Sequence, residues 1–257
     1  MKNLIWILSF AFLAFAGCEN ENGANTDQKQ DVAVNFQASF GQQPLVMFAQ
    51  DYAYEANMRM KFQLFQFYVS DLGLLKQNGS QTDTVKLFDI ALINFKDVQN
   101  TTQAAAGITV DVKDVPEGKY KGVVMGLGVS PVLNATSPNS YTPPHPLDGN
   151  YWSWARGYIF FKVEGNADVK GDGQYAEKLT FHIGENQFYR TKTFLQDFTI
   201  DEKHKTLSFH VDARRVLVSS ATDFVDFRKV TIDHTTDMTL AKFMADNLQA
   251  AVSMNGQ

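Results

Sequence analysis

Val32-Ala33-Val34-Asn35-Phe36-Gln37-Ala38 alternates apolar and polar side chains with period two, the pattern of a strand that turns one face to a core and the other to water. Runs of the same character follow at 59–69 (RMKFQLFQFYV), 85–93 (VKLFDIALI), 108–112, 120–127, 157–164, 178–183, 194–200 and 206–211. Turn chemistry separates several of them: Asn78-Gly79, Pro116-Glu117-Gly118 and Gly171-Asp172-Gly173, where glycine supplies positive φ and proline presets a bend. No helical period intervenes between successive runs, so the chain reads as an all-β fold, an antiparallel β-sandwich-like single domain rather than a βαβ array. One helix closes it. After Thr235-Thr236-Asp237, which offers capping oxygens, Leu240, Phe243, Met244, Asn247, Leu248 and Ala251 recur at helical spacing.

Composition agrees. The 257 residues are 44% hydrophobic and 20% charged, with 21 Phe and 9 Tyr, a globular mixture weighted toward the aromatic side chains that strands pack together. The net charge is −5 and no basic cluster interrupts it, so the electrostatic footprint of a nucleic-acid binder is missing. No GxSxG elbow, GxGxxG turn, Walker loop or HExxH helix is present, and the hydrolase, dinucleotide and zincin readings lose their main support. We therefore expect a binding protein and not an enzyme. The proline-rich loop at 130–150 is too long for a hairpin turn and reads as functional or as a lid.

The first residues lie outside that domain. Lys2 precedes the apolar run Leu4 to Ala16, which is short for a membrane span and ends in Ala16-Gly17 before Cys18, the physical pattern of a secretory leader. Phe15-Ala16-Gly17-Cys18 resembles the bacterial lipobox, in which the cysteine is acylated and becomes the mature first residue. The expected organisation is a lipoprotein signal peptide at 1–17, a polar tether at 18–31 (CENENGANTDQKQD) and the β-rich domain at 32–257. The expected location is the cell envelope, with the chain lipid-anchored at an outer membrane. Cys18 is the only cysteine, so its acylation leaves no thiolate for a disulfide, zinc or blue-copper site.

Five histidines remain: His145, His182, His204, His210 and His234. His204 sits in a charged turn, His145 among prolines and His210 in an alternating strand. His234 precedes Met238 by four residues, a spacing that suits either a ligand pair or a helix cap. His182 stands out because of residues 151–184, YWSWARGYIFFKVEGNADVKGDGQYAEKLTFHIG. If these form a symmetric hairpin, His182 lies opposite about Tyr158, with Trp152 and Trp154 on the same face further up the strand. The plainer alternative makes both tryptophans core filler and His182 a strand-end hydrogen-bonding residue.

An ordered set of segments resembles the MbnP-like copper-binding proteins: Phe67-Tyr68-Val69-Ser70-Asp71-Leu72-Gly73-Leu74, Pro116-Glu117-Gly118-Lys119-Tyr120, Gly126-Leu127-Gly128-Val129, Trp152-Ser153-Trp154 before Gly157-Tyr158, Glu164-Gly165, Phe181-His182-Ile183-Gly184 and the closing Met244-Ala245-Asp246-Asn247-Leu248. The resemblance implies an extracytoplasmic copper-binding protein for metal acquisition or storage. It also implies a tryptophan converted to kynurenine by a partner di-haem oxidase of the MauG or cytochrome c peroxidase type, the modified side chain joining histidines at the metal. Carried onto this chain, it makes Trp152 and Trp154 the candidates for modification, Trp154 favoured as nearer His182 along the expected hairpin, and His182 a candidate ligand. A related copper protein carries a histidine two residues after its modified tryptophan. Counted from Trp152 that place is Trp154, and the second ligand stays open among His210, His145 and His234 with Met238. The rival reading is a structural or carbohydrate-binding surface lipoprotein without metal.

Overall fold

Phe36 is the point where two sheets meet. It stacks on Phe209 with ring centroids 5.1 Å apart and meets the edge of Phe67 at 6.1 Å, and each such buried aromatic contributes roughly 1.5–3 kcal/mol through area removed from water. The computed structural model describes residues 28–153 and 156–255. The leader, Cys18 and Trp154 lie outside the described residues.

The smaller sheet holds β1 (Lys29–Phe40), which carries Phe36, with β4 (Ile108–Pro116), β10 (Thr206–Asp212) and β12 (Val252–Met254). The larger is built on the long β2 (Arg59–Asn78), flanked by its hairpin partner β3 (Gln81–Asn94), by β5 (Gly118–Leu127) and by β7 (Gly157–Asp168). Outward from these lie β9 (Arg190–Ile200) on β5, and β8 (Glu177–Gly184) followed by β11 (Ile232–Asp233) on β7; the short β6 (Tyr151–Ser153) also pairs with β7. All nine alternating runs fall in strands, and Val32, Val34 and Phe36 point into the core. In β2 the apolar phase shifts at the bulge between Phe62 and Leu64 and again past Asp71, because an extra residue moves every later side chain to the other face. That is why Leu64 and Phe65 stand side by side as apolar residues at the bulge.

The sandwich is mixed rather than wholly antiparallel. β1 pairs with β10 in parallel, Ala33 opposite Thr206 through Ser39 opposite Asp212, and β8 pairs with β11 in parallel. Only close sequence neighbours are forced antiparallel by a short turn, and β1 and β10 are joined through most of the chain. Three short helices, α1 (Thr101–Ala106), α2 (Pro131–Asn134) and α3 (Ala213–Leu217), precede the C-terminal α4 (Met238–Ala251). Asp237 caps α4, its Oδ1 accepting from the backbone N–H of Thr239 at 2.9 Å and Leu240 at 3.1 Å, and Ala241, Met244, Ala245 and Leu248 form its buried face.

The proline-rich loop roofs the outer face of β2. Tyr68, fully buried, donates to the Pro146 carbonyl at 2.6 Å and accepts from the Asn150 amide at 2.9 Å, so its hydroxyl is satisfied inside the protein. At its other end Asn134 accepts from the Tyr158 N–H at 2.7 Å. Gly157 has φ 72, and a Cβ there would collide with the Asn134 side chain, so only glycine lets the loop pack against the start of β7.

Two expectations for the 151–184 segment are corrected. β6 is no upward extension of β7 but folds back on it, Tyr151 opposite Tyr158 and Ser153 opposite Gly157. In the β7–β8 hairpin His182 lies opposite Lys162, not Tyr158. The cause is Asp168, whose carboxylate accepts from the N–H groups of Lys170, Gly171, Asp172 and Gly173 at 2.7–3.2 Å, so the turn begins at the end of β7 and takes its length from the β8 side. Burial alone would raise the pKa of Asp168, but those four donors outweigh it and hold the carboxyl below 3.8. A depressed carboxyl stabilises the fold above its unfolded value and ceases to do so as pH falls through its folded value. Asp168→Asn should therefore melt below wild type at pH 7, with the two melting curves converging in acid; a gap unchanged down to pH 2 would contradict this role.

Candidate metal centre

The parallel register of β8 and β11 brings two distant histidines together. Thr180 faces Ile232 and Phe181 faces Asp233; one step further His182 lies beside His234, ring centroids 4.8 Å apart and interplanar angle 70°. Asp233 shapes the chain beyond β11, its Oδ1 accepting from the N–H groups of Thr236 and Asp237 at 3.0 Å and from the Thr236 hydroxyl at 2.6 Å. Helix capping is done by Asp237, which leaves His234 free of that task.

His182 shares its face with Lys162 and Glu164 on β7, and its Nε2 lies 2.7 Å from Glu164 Oε1. Burial pushes the imidazole pKa down from its ordinary value, and Lys162 and His234 add to this; the hydrogen bond to Glu164 pulls the other way without reversing it. A neutral imidazole bonded to an ionised carboxylate carries its proton on the bonded nitrogen. Nε2 then donates to Glu164 and Nδ1 keeps its lone pair, the arrangement by which a carboxylate orients a metal-binding histidine. Desolvation also lowers the pKa of the half-buried Lys162. On the facing ring, His234 Nδ1 is buried and has no hydrogen-bond partner among the described residues. A buried unpaired nitrogen is costly, and a bound ion would satisfy it.

Trp152 closes the third side, its ring centroid 5.7 Å from that of His234. The Arg156 guanidinium covers the indole at 5.2 Å. Its Nη1 donates to the carbonyls of His234 at 3.0 Å and Thr235 at 2.6 Å, and it pairs with Glu185 at 3.2 Å. Among the described residues no three His, Cys, Asp or Glu side chains converge into a ready metal cage, so the cluster offers two imidazoles and an indole whose N–H is a donor only. Two imidazole nitrogens suit copper, and a third nitrogen donor from this cluster would need the indole to change chemically.

The other candidates lie elsewhere. His210 is on β10 of the smaller sheet, opposite Gln37 and Ser253, and does not join the cluster. His145 stacks on Tyr141 at 4.0 Å within the proline-rich loop and accepts from the Leu147 N–H. His204 bonds Asp201 in its turn. Met238 opens α4 with its sulfur 3.7 Å from the Gln187 amide nitrogen. In the sequence Glu164 stood only within the family pattern and Thr235 only as a capping oxygen, and Arg156 had no role there. The signal for Glu164 was Asp168 followed by two turn glycines, which sets the register that places Glu164 near His182.

The MbnP family model matches residues 29–239. A solved structure, MbnP from Methylosinus trichosporium, shares 19% identity with this chain, covering 77% of it and 80% of its own length at a TM-score of 0.48. No curated protein matches the chain.

Proposed function

Because this chain belongs to the MbnP family, we propose that it is an extracytoplasmic copper-binding protein serving metal acquisition or storage, non-enzymatic, with His182 and His234 as imidazole ligands beside Trp152. The observation that supports this reading best is the buried Nδ1 of His234, which has no hydrogen-bond partner among the described residues, on a ring whose centroid lies 4.8 Å from that of His182, itself hydrogen-bonded to Glu164. Copper stands at the top of the divalent affinity order and accepts nitrogen donors readily. The chain's part is to hold the two imidazoles side by side and to orient His182 through Glu164.

The third donor in this reading is Trp152 after oxidation to kynurenine, whose aromatic amine has the lone pair that an indole nitrogen lacks. A partner di-haem oxidase of the MauG or cytochrome c peroxidase type would supply the oxidising equivalents, with dioxygen or peroxide as the co-substrate; the indole C2–C3 bond would break and C2 would leave as formate on hydrolysis. The guanidinium over Trp152 argues against a carbohydrate platform, because a sugar needs the aromatic face that Arg156 covers. Isothermal titration tests the choice: stoichiometric binding of Cu(I) or Cu(II) with no response to a glycan panel is expected, and the reverse would replace copper with the carbohydrate reading.

Attachment to the envelope is assigned to a lipid on Cys18, the residue after the small pair Ala16-Gly17. Cys18→Ser should move the protein from the detergent phase to the aqueous phase in phase partitioning, because the acyl chains supply about 0.8 kcal/mol per buried methylene. Unchanged partitioning would remove the lipoprotein assignment and leave the metal site untouched.

A further inference from the structure

Thr235 is a β-branched residue held at φ 55 and fully buried. Left-handed backbone is rare and strained for such a residue and persists where the surroundings over-determine it. What determines it here is its hydroxyl, which donates to the His182 carbonyl at 2.9 Å and accepts from the Gly184 N–H at 3.0 Å. The hydroxyl thus takes up the backbone on both sides of Ile183, where the ladder between β8 and β7 slips by a bulge. The β8–β11 ladder stops at Asp233, so the Thr235 hydroxyl carries the pairing past His234 and fixes that residue's place along β8. The Thr235 carbonyl in turn accepts from Arg156, which lies over Trp152.

We propose that Thr235 is a positioning residue for the copper site: its hydroxyl locks the chain of His234 to the chain of His182, so that the two imidazoles are paired before the metal arrives. The inference rests on the reading of the histidine pair as the copper site. A glycine would hold φ 55 with less strain, so a residue chosen only for the turn would be glycine or asparagine. Threonine is tolerated here because of what its oxygen bonds. Preorganisation of this kind raises affinity by removing the ordering cost from the binding step.

Three variants separate this role from a purely structural one. Thr235→Ser keeps the hydroxyl, and it should retain wild-type copper affinity. Thr235→Gly relieves the left-handed strain but removes the hydroxyl, and Thr235→Val keeps the shape but leaves two backbone groups unpaired. Both should bind copper at least tenfold more weakly, with Thr235→Gly melting within a few degrees of wild type. In the metal-free protein, nitrogen NMR of the imidazoles should show exchange broadening of His182 and His234 in the Gly and Val variants and sharp resonances in wild type and Thr235→Ser. Affinity and line widths that are unchanged in Thr235→Gly would overturn the proposal, and so would a loss in Thr235→Ser equal to that in Thr235→Val. Copper affinity indifferent to His182→Ala and His234→Ala would instead overturn the site reading, while the metal-free line widths would still decide whether Thr235 orders the pair.

Discussion

Alanine at His182 or at His234 lowers copper affinity at least tenfold, about 1.4 kcal/mol, and alanine at both removes specific binding, while each variant still melts cooperatively. His182 lies at the rim of the β7–β8 hairpin and His234 just past the end of β11, outside the aromatic core that Phe36, Phe67 and Phe209 build. Their removal therefore costs little packing. His234→Ala also deletes a buried nitrogen that has no hydrogen-bond partner among the described residues, so the metal-free protein is expected to keep or gain stability even as it loses copper. That opposite movement of stability and affinity marks a group retained for a ligand. Titration calorimetry beside thermal melts reads both, and His234→Ala protein with full affinity or a collapsed melting curve would contradict the assignment.

If the kynurenine proposal holds, protein from its own host should carry an oxidised residue at Trp152, and protein made without a di-haem oxidase should bind copper at least tenfold more weakly. An intact indole gives the metal no lone pair, so the unmodified cluster is left with two imidazoles. Peptide mass spectrometry locates the modification. An intact Trp152 in copper-loaded native protein would remove kynurenine from this member.

The strands were legible because one-sided burial writes itself into the sequence as alternation, and β1 shows it most plainly, with Val32, Val34 and Phe36 inward and Asn35 and Gln37 outward. Helix α4 was legible from its cap and its period. The parallel pairings were not, because nothing local distinguishes a strand that will find a partner far away in sequence. That limit also decided how the site could be read. His182 was recognised from its own segment, but its companion arrives through the parallel register of β8 and β11, and Ile232-Asp233 is too short to show a period. His234, His145 and His210 therefore stayed equivalent until the chain was folded. The hairpin register could not be read from the residues for a nearer reason: Asp168 gathers four N–H groups and lengthens the turn on one side. Trp154 was preferred only as the nearer of the two tryptophans to His182 along the hairpin. Trp154 lies outside the described residues, and the ring contact with His234 now puts the expectation on Trp152.

The central claim is that copper sits between His182 and His234 against the ring of Trp152. A crystal of copper-loaded protein, with data collected on both sides of the copper absorption edge, tests it most directly. We predict a single anomalous peak within bonding distance of a nitrogen from each imidazole and bordered by residue 152. A peak at His210 or His145, or none in protein that binds copper in solution, would contradict it.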